Sequence, residues 1–294
     1  MSEAYDSNRI TRDYLDSLLI ETRYIDSDIP ETDCELFGRK YDMPIATAAL
    51  SHLYSVCDKG MVQFAAGAKK ANALCFMGMG EDVDVEEMTQ TGADLVKIIK
   101  PHADNDVIFH KIEQAVSCGA VAVGMDIDHA YTSDGRYDEV FGLPMKPKTL
   151  KEMEEFVRFA KVPFVVKGVL STSDAAKCLE AGASAIVVSH HHGIMPYSVP
   201  PFMMLPEIVK EVNGKMTIFA DCGIESGADV FKALALGADA VCIGRNLMES
   251  LKDGSDAMAD RMIAINNELK SIMARTGAHS LKEIDLSVIH KRSF

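Results

Sequence analysis

VPFVVKGVLSTSDAAKCLEAGASAIVVSHHHG, residues 162–193, contains one full copy of the pattern that decides the fold. A short apolar run at 163–166 precedes a segment of helical period at 173–181, and a glycine then leads into a second apolar run at 185–188. Apolar runs of this length, separated by amphipathic segments, are typical of buried parallel strands joined by helices. The stretch therefore predicts a strand, a helix and the next strand.

The same pattern extends outward in both directions and gives eight strands. They are predicted at 44–49, 73–77, 95–99, 120–125, 163–166, 185–188, 216–220 and 240–243. The near-repeated phrases GADLV, GAVAV, GASAI and GADAV each end a helix with glycine and open the next strand. Eight βα units in about 210 residues fit a closed (β/α)8 TIM barrel, an α/β fold. A doubly wound open sheet is the alternative, but eight consecutive units without a second domain favour closure.

The remaining segments are expected to form a single domain with this barrel. We predict a covering N-terminal arm at 1–42, the barrel itself at 43–250, and C-terminal helices at 251–294. A late helix at 256–275 would pack against the outside of the barrel.

Helical period and capping residues place several of the connecting helices. Examples are predicted at 150–159, 173–181 and 228–236. Thr149 and Thr172 are candidate caps because their hydroxyls can accept from free amides of the first turn. The stretch 128–148 has no clear period and is the longest loop after a strand, so it is a candidate binding loop.

The composition is that of a globular protein and excludes several classes of partner. Of 294 residues, 48% are apolar and 25% are charged. The 44 acidic residues outnumber the 30 basic ones, which argues against nucleic acid or an anionic membrane as the partner. No apolar run approaches the roughly 18 residues of a membrane span, and the acidic opening does not resemble a signal peptide, so we expect a cytoplasmic protein. The seven scattered cysteines are expected to be reduced core residues.

Polar side chains collect at the ends of the predicted strands, where a TIM barrel builds its active site. In chain order they are Lys97, Lys100, His102, Asp126, Asp128, Lys167, residues 189–192, Asp221 and Arg245. The carboxyl ends of all strands in a barrel lie on the same side. The sequence therefore predicts that these groups converge in one mouth.

The loops after the seventh and eighth strands have the features of an anion site. DCGIESG, residues 221–227, is a turn with two glycines that leads into a helix, and IGR at 243–245 adds a glycine and an arginine. Backbone amides in such turns bind phosphate, and TIM barrels often do so at this corner. We therefore predict a phosphate-binding corner here.

The segment 162–245 resembles the C-terminal half of the FMN-dependent 2-hydroxy-acid oxidase and dehydrogenase family. The resemblance is carried by VKG at 166–168, SHHHG at 189–193, DCGIESG at 221–227, DVFKALALGA at 229–238 and IGR at 243–245. It continues more faintly through LFGRKYDMPIATAA at 36–49, IIKP at 98–101 and MDID at 125–128. The last two are similar to a divergent subgroup of anaerobic bacteria labelled only as 2-hydroxy-acid-oxidising proteins. The family fold is the same barrel.

This resemblance implies roles for three strand-end residues. His191 occupies the position of the histidine that takes the substrate hydroxyl proton while hydride passes to flavin N5, and Asp126 that of the aspartate paired with it. Lys167 occupies the position beside the flavin N1 and O2 edge. From the residues alone, Lys167 could instead form a structural ion pair with Asp126 or Asp221. The implied activity is an FMN-dependent oxidoreductase acting on a 2-hydroxy-acid-like substrate.

The resemblance also implies FMN as the cofactor. Gly223, Gly244 and Arg245 would hold its phosphate. The positions that would contact the isoalloxazine ring are Thr47, Ala48, Met77, Gly78 and Lys97. The predicted cofactor-binding set is completed by Lys167, Ser189 and Asp221.

Two positions depart from the family pattern. Ile194 stands where the family has the arginine that binds the substrate carboxylate, and an apolar side chain cannot form that bidentate pair. Glu225 stands where an arginine supports the FMN phosphate. Simple lactate or glycolate is therefore a poor candidate substrate. The candidate substrate-binding residues are His102, His129, Arg136 and His192.

Other functions are weighed against this one. Neighbouring side chains on an extended strand end point to opposite faces, so the triplet 190–192 is not expected to bind one metal ion, and no metal site is predicted. One alternative is a reduced-flavin isomerase acting on a phosphorylated substrate, and another is a non-catalytic barrel that has lost FMN. The family further implies a small-molecule substrate and a homo-oligomer, a tetramer or larger.

Overall fold

The computed structural model describes residues 6–292 and contains a closed eight-stranded parallel barrel. Its strands are β1 (Ile45–Thr47), β2 (Cys75–Met77), β3 (Leu95–Ile99), β4 (Ala122–Asp126), β5 (Phe164–Val169), β6 (Ala185–Val188), β7 (Thr217–Ala220) and β8 (Ala240–Ile243). All eight overlap the strands predicted from the apolar runs. The predicted TIM barrel is confirmed.

The strand order distinguishes a barrel from an open sheet. The hydrogen-bonded order is β1, β8, β7, β6, β5, β4, β3, β2, with every neighbouring pair parallel. The two ends meet, because the Thr47 amide donates to the Leu74 carbonyl at 3.1 Å and Leu50 forms a parallel bridge with Met77. A doubly wound sheet would instead keep two free edges.

Helices surround the barrel. They are α1 (Ser7–Asp16), α2 (Gly60–Lys70), α3 (Asp82–Gln90), α4 (Asn105–Ser117), α5 (Leu150–Ala160), α6 (Thr172–Glu180), α7 (Pro201–Val212), α8 (Gly227–Ala235), α9 (Arg245–Leu251) and α10 (Ser255–Thr276). Thr149 caps α5 as predicted, in a reciprocal capping box with Glu152. The prediction of Thr172 as a cap is wrong: Ser171 caps α6 by accepting from the Asp174 amide, because the chain turns helical one residue earlier than the period indicates.

Side chains from the strands fill the barrel interior. Ala46, Phe76, Val165, Phe219 and Cys242 belong to this inner core, and each is at most 3% exposed. Their inward alternation follows from the pleat of the strands. The interior is therefore packed and leaves ligand binding to the carboxyl end.

The N-terminal arm covers both ends of the barrel. A hairpin of Cys34–Leu36 with Arg39–Tyr41 packs Leu36 and Tyr41 against the inner core, and the Tyr41 hydroxyl donates to Asp94 at 3.0 Å. Helix α1 lies at the opposite end, over the loops that follow β6 and β7, as its contacts with His190 and Gly223 show.

The loop predicted at 128–148 contains a short hairpin. Glu139–Val140 pairs with Leu143–Pro144 in an antiparallel turn. Phe141 at its tip is 74% exposed, and its ring lies 5.3 Å from that of His52 in the loop after β1. The hairpin therefore reaches across part of the barrel mouth. Within residues 6–292, no helix is both long enough and apolar enough to cross a bilayer.

Candidate active site

A buried ion cluster lies where β4 and β5 run side by side. Lys167 stands opposite Asp126 in the parallel ladder, and its Nζ lies 2.9 Å from Asp126 Oδ1. Lys100, just after β3, places its Nζ 2.8 Å from the other oxygen, Oδ2. Each of the three residues is at most 8% exposed. Burial alone would raise the pKa of Asp126, but the two ammonium groups hold it well below its usual range, so the carboxylate is ionised.

The same cluster fixes Lys167 in its charged form. Burial alone would lower its pKa, but the Asp126 carboxylate raises it above its usual range. The predicted structural pairing of Lys167 with Asp126 is thus present, and it coexists with a position on the cavity wall described below. A permanent positive charge therefore faces the cavity.

His191 lies beside this cluster and bonds to a second carboxylate. Its Nδ1 is 2.8 Å from Asp128 Oδ1, 3.7 Å from Asp126 Oδ1 and 3.5 Å from Lys167 Nζ. Because an ionised carboxylate can only accept, the proton of the neutral ring sits on Nδ1. Nε2 is then unprotonated and can act as a base.

The three consecutive histidines point to different partners. His191 and His192 both have positive φ, 48° and 57°, so the chain turns sharply here. His190 is buried between Thr11 Oγ1, at 2.8 Å, and the Gly193 amide, at 2.9 Å. His192 Nδ1 lies 2.7 Å from Asn8 Oδ1 on α1.

One group of possible metal ligands occurs among residues 6–292. Ligand atoms of Asp126, Asp128 and His191 lie within 4.8 Å of one another. Both oxygens of Asp126 already face ammonium groups, and a cation here would have to displace Lys167. The arrangement suits an acid–base centre better than a metal centre.

A cavity of about 270 Å³ opens beside His191 at the carboxyl ends of β1, β6, β7 and β8. His192 also lines it. The predicted cofactor-binding residues on its wall are Ala48, Lys167, Asp221, Gly223, Gly244 and Arg245. The structure therefore brings the predicted base and most of the predicted phosphate corner to one cavity.

The corner of this cavity is shaped by glycine and anchored by α1. Gly223 has φ +81°, and an added Cβ would lie 3.2 Å from Thr11. Arg12 donates to the Gly223 carbonyl at 3.0 Å and forms a two-pronged pair with Asp229 at 2.7 and 3.1 Å. Arg245 is also near α1, 3.4 Å from Asn8 Oδ1. Contacts from α1 thus fix the conformation of the turn at Gly223.

Glu225, the residue that departs from the family pattern, lines the same cavity. Its amide and that of Ser226 donate to Asp229 Oδ2 at 3.1 and 3.2 Å. These two amides are therefore engaged, and an anion in the cavity would rely on the glycine turns and the Arg245 guanidinium.

Of the predicted ring-contact positions, Ala48 lines this cavity, whereas Thr47, Met77, Gly78 and Lys97 are buried and are not among its lining residues. Thr47 is fully buried and braces β1 against β2, because its Oγ1 accepts from the Phe76 amide at 2.8 Å. Gly78 allows a close approach of backbone: an added Cβ would lie 2.6 Å from the Ala49 carbonyl oxygen. Lys97 donates to the Gly78 carbonyl at 2.6 Å, and burial lowers the pKa of Lys97 to about 7.

Two further predicted cofactor contacts, Met77 and Ser189, lie in different parts of the barrel. Met77 is fully buried at the end of β2. Ser189 accepts from the His191 amide at 3.0 Å and donates to Asp221 at 3.2 Å. Ser189 therefore links the histidine loop to the loop after β7.

The predicted substrate residues are not all brought together. His129 lies near the base, with its ring 5.3 Å from that of His191. Arg136 lies on the exposed part of the loop after β4, 80% exposed and paired with Asp134 at 2.6 Å. His102 is buried at the base of that loop, bridged to Met145, and burial lowers its pKa to about 4. Of the four, His129 and His192 lie at the site.

Sequence reasoning did not assign roles to Asp128 and Lys100, although both were noted as strand-end residues. A signal for Asp128 was available in its two-residue spacing from Asp126. The contribution of α1 through Asn8, Thr11 and Arg12 had no local signal, since its partners lie far along the chain.

Comparisons with known proteins agree with this geometry. The family model described as FMN-dependent dehydrogenase matches residues 2–158 and 145–291. An L-lactate oxidase of Nostoc sp. is 39% identical over 170 residues, covering 57% of this chain and 46% of that protein. A 2-hydroxyacid oxidase of Dictyostelium discoideum is 26% identical over 308 residues, covering 92% of this chain and 79% of that protein. The structure of a mandelate oxidase variant with a monooxide FMN adduct superposes with a TM-score of 0.89 at 28% identity, covering 100% of this chain and 93% of that one.

The residues present fit FMN. The cavity has two glycine turns and the Arg245 guanidinium at one end, which suit a phosphate. Lys167 supplies a buried positive charge on the same cavity wall, which suits the electron-rich edge of a flavin ring. The relatives support neither the isomerase nor the non-catalytic alternative. The chain therefore belongs to the FMN-dependent dehydrogenase family and is an FMN-dependent oxidoreductase that acts at a hydroxyl-bearing carbon.

Proposed function

We propose that this protein oxidises a 2-hydroxy acid or a closely similar hydroxyl compound, with His191 as the general base. The observation that carries the proposal is the contact of His191 with a carboxylate on one side and the cavity on the other. FMN, when bound, supplies the two-electron acceptor for this oxidation.

His191 removes the hydroxyl proton through Nε2. The ring is held at Nδ1 by Asp128 in the loop after β4, whereas Asp126 lies farther away at 3.7 Å. A base with a fixed tautomer and a nearby negative charge is well suited to accept a proton. The positive charge that forms on the ring is stabilised by the adjacent Asp128 carboxylate.

Lys167 and the remaining cavity residues bind and position. The Lys167 ammonium is a fixed positive charge for an anionic group bound against this wall. Gly223, Gly244 and Arg245 are assigned to a phosphate, with Asp221 and Ser189 supporting the loops around it. Thr47, Ala48, Met77, Gly78 and Lys97 are assigned to the isoalloxazine ring, and of these Ala48 lines the cavity.

The test uses purified FMN-loaded protein mixed without oxygen with a panel of 2-hydroxy acids of increasing size. We expect loss of the oxidised flavin absorbance with at least one of them. In H191Q the rate should fall by about 10²- to 10⁴-fold while the FMN content is unchanged, because only proton removal is lost. An undiminished rate in H191Q would remove the base assignment.

We also propose that the protein is a cytoplasmic homo-oligomer, a tetramer or larger. Support comes from the family resemblance and from three exposed apolar side chains in the N-terminal arm, Tyr24, Ile25 and Ile29, which are 63%, 90% and 86% exposed. Light scattering on the eluting protein would test the assembly. A monomer at micromolar concentration would contradict it.

A further inference from the structure

We propose that Asp128, rather than Asp126, is the carboxylate that orients His191 and fixes which ring nitrogen carries the proton. Asp128 is thus a positioning residue, and Lys167 and Lys100 together withdraw Asp126 from this role. The inference rests on the proposed function of His191 as the base and adds which side chain supports it.

The distances separate the two carboxylates. Asp128 Oδ1 lies 2.8 Å from His191 Nδ1, within hydrogen-bond range, whereas Asp126 Oδ1 lies 3.7 Å from the same atom. A hydrogen bond to a charged acceptor weakens steeply over that difference. The imidazole proton is therefore directed to Asp128.

Asp126 is already engaged by two cations. Its Oδ1 accepts from Lys167 at 2.9 Å and its Oδ2 from Lys100 at 2.8 Å. Each oxygen thus has an ammonium group closer than the imidazole. The single charge of Asp126 is shared between two lysines, and little of it is left to stabilise a protonated His191.

The backbone of β5 makes room for Asp128. Gly168 has φ +90°, and the register of β5 against β6 shifts between Lys167 and Val169. An added Cβ on Gly168 would lie 2.3 Å from the carboxyl carbon of Asp128. The Ile127 amide also donates to the Lys167 carbonyl at 2.9 Å, which ties the loop after β4 to this irregularity. Asp128 is thus held in a space that only glycine leaves open.

The second carboxylate oxygen of Asp128 shows whether other groups compete with His191 for this carboxylate. Among residues 6–292, Asp128 Oδ2 is buried and has no hydrogen-bond partner. Within the part of the chain that the structure describes, the imidazole is thus the hydrogen-bond partner of this carboxylate, and Lys167 acts on it through charge alone. In the neutral ring this arrangement favours the tautomer with the proton on Nδ1, which leaves Nε2 free, and it also stabilises the doubly protonated ring formed when Nε2 takes a proton.

The other charged and titratable groups near His191 come from four elements. They are Asp126 at the end of β4, His129 after β4, Lys167 in β5, His192 after β6 and Lys100 after β3. The two ammonium groups carry one more charge than Asp126 can balance. Asp128 is therefore the carboxylate that offsets the remaining positive charge beside His191.

The test compares D128N with the charge-balanced double variant D126N and K100M, each as the FMN-loaded full chain. Ring-nitrogen NMR on isotope-labelled histidine reports which nitrogen of the neutral His191 ring is protonated, with H191Q identifying its signals. In D128N we expect the neutral ring to become a mixture of tautomers, because the charged acceptor at Nδ1 is lost. In the double variant the Nδ1-protonated tautomer should persist.

Two results would overturn the proposal: an unchanged His191 in D128N, or a lost tautomer preference in the double variant. D128S is made in parallel and measured in the same way. Its smaller side chain also removes the carboxylate, and it replaces D128N if the asparagine variant does not fold.

Activity gives a second readout. In D128N kcat should fall at least about 10-fold, with little change in KM, because the base is no longer held in the reactive tautomer. The NMR result requires no substrate. If the wild-type protein oxidises no hydroxyl compound, the proposed function fails, while the tautomer measurement still decides the role of Asp128.

Discussion

The two ends of the cavity are built from different kinds of residue. The phosphate corner, 221–227 with 243–245, consists of glycine turns fixed from behind by an ion pair on α1. The catalytic mouth, 126–129 with 189–193, consists of titratable side chains that bond to one another. The corner depends on shape and the mouth depends on charge. Substitutions in the two regions should therefore fail in different ways.

The largest expected effect is loss of the anchor behind the corner. R12M would leave Asp229, whose side chain is 4% exposed, without its cation. We expect the free energy of unfolding to fall by about 3 kcal/mol and the melting temperature by about 6 to 12 °C, with weaker FMN binding. The exposed pair of Arg9 and Asp13 on the same helix provides a control, R9M, which should shift melting by less than about 2 °C.

That prediction also has a pH dependence. The pKa of Asp229 is lowered: burial raises it, but Arg12 more than offsets this. A lowered carboxylate pKa contributes stability above the ordinary value of 3.8 that is lost as the pH falls through the folded pKa. Calorimetry should find the difference between wild type and R12M shrinking below about pH 4. A constant difference would contradict the ion pair as the cause.

R245M would alter the corner without unfolding it. The loss of a charged donor should weaken FMN binding by about 10- to 100-fold, as titration of the flavin fluorescence would report. With FMN saturating, the rate of flavin reduction by substrate should not change, because the mouth is intact. K252M, just after α9, is the matched control. If the rate of flavin reduction in R245M fell as much as FMN binding, the separate roles of the corner and the mouth would be contradicted.

Lys97, which is buried in β3 outside both regions, should show its burial as a pH effect. Burial lowers its folded pKa to about 7 from 10.5, so between these values the unfolded chain binds the extra proton. The free energy of unfolding therefore gains a contribution that rises with pH, at most about 1.4 kcal/mol per pH unit. In FMN-free protein, K97M should remove this slope. If the free energies of unfolding of the wild type and K97M change in parallel from pH 7 to 9, Lys97 is not the cause of the slope.

The smallest effect is expected at Glu225. Its carboxylate lines the phosphate corner, so E225Q should strengthen FMN binding by a few-fold at low salt, and the gain should fade as salt screens the charge. E249Q on α9 is a control of the same charge change. Weaker binding in E225Q would mean that this side chain supports the corner rather than repelling the phosphate.

The fold followed from the sequence because its signals are local. Each strand is an apolar run and each helix has a period, so all eight strands were located within a few residues. Strand ends then predicted the cluster of Asp126, Lys167 and His191, since barrel geometry places those ends together.

What escaped prediction depends on contacts that no local pattern encodes. The reach of Asp128 to His191 needs the register shift at Gly168, which alternation alone does not reveal. Arg136 was a candidate substitute for a substrate arginine, yet it lies in the turn between the bridged Tyr131 and Tyr137 and pairs there with Asp134 at the surface. A one-residue irregularity and the path of one loop thus decided which predicted groups meet.

Helix α1 also sets an order of events in biosynthesis. Thr11 bonds to His190, 179 positions later, and Arg12 to Asp229, 217 positions later. The helix leaves the ribosome long before either partner exists, and contacts of such separation are slow to form. The phosphate corner is therefore completed only when nearly the whole chain is available. Retention of FMN therefore indicates that synthesis of the chain is finished. Chains that stop before β7 lack the phosphate corner.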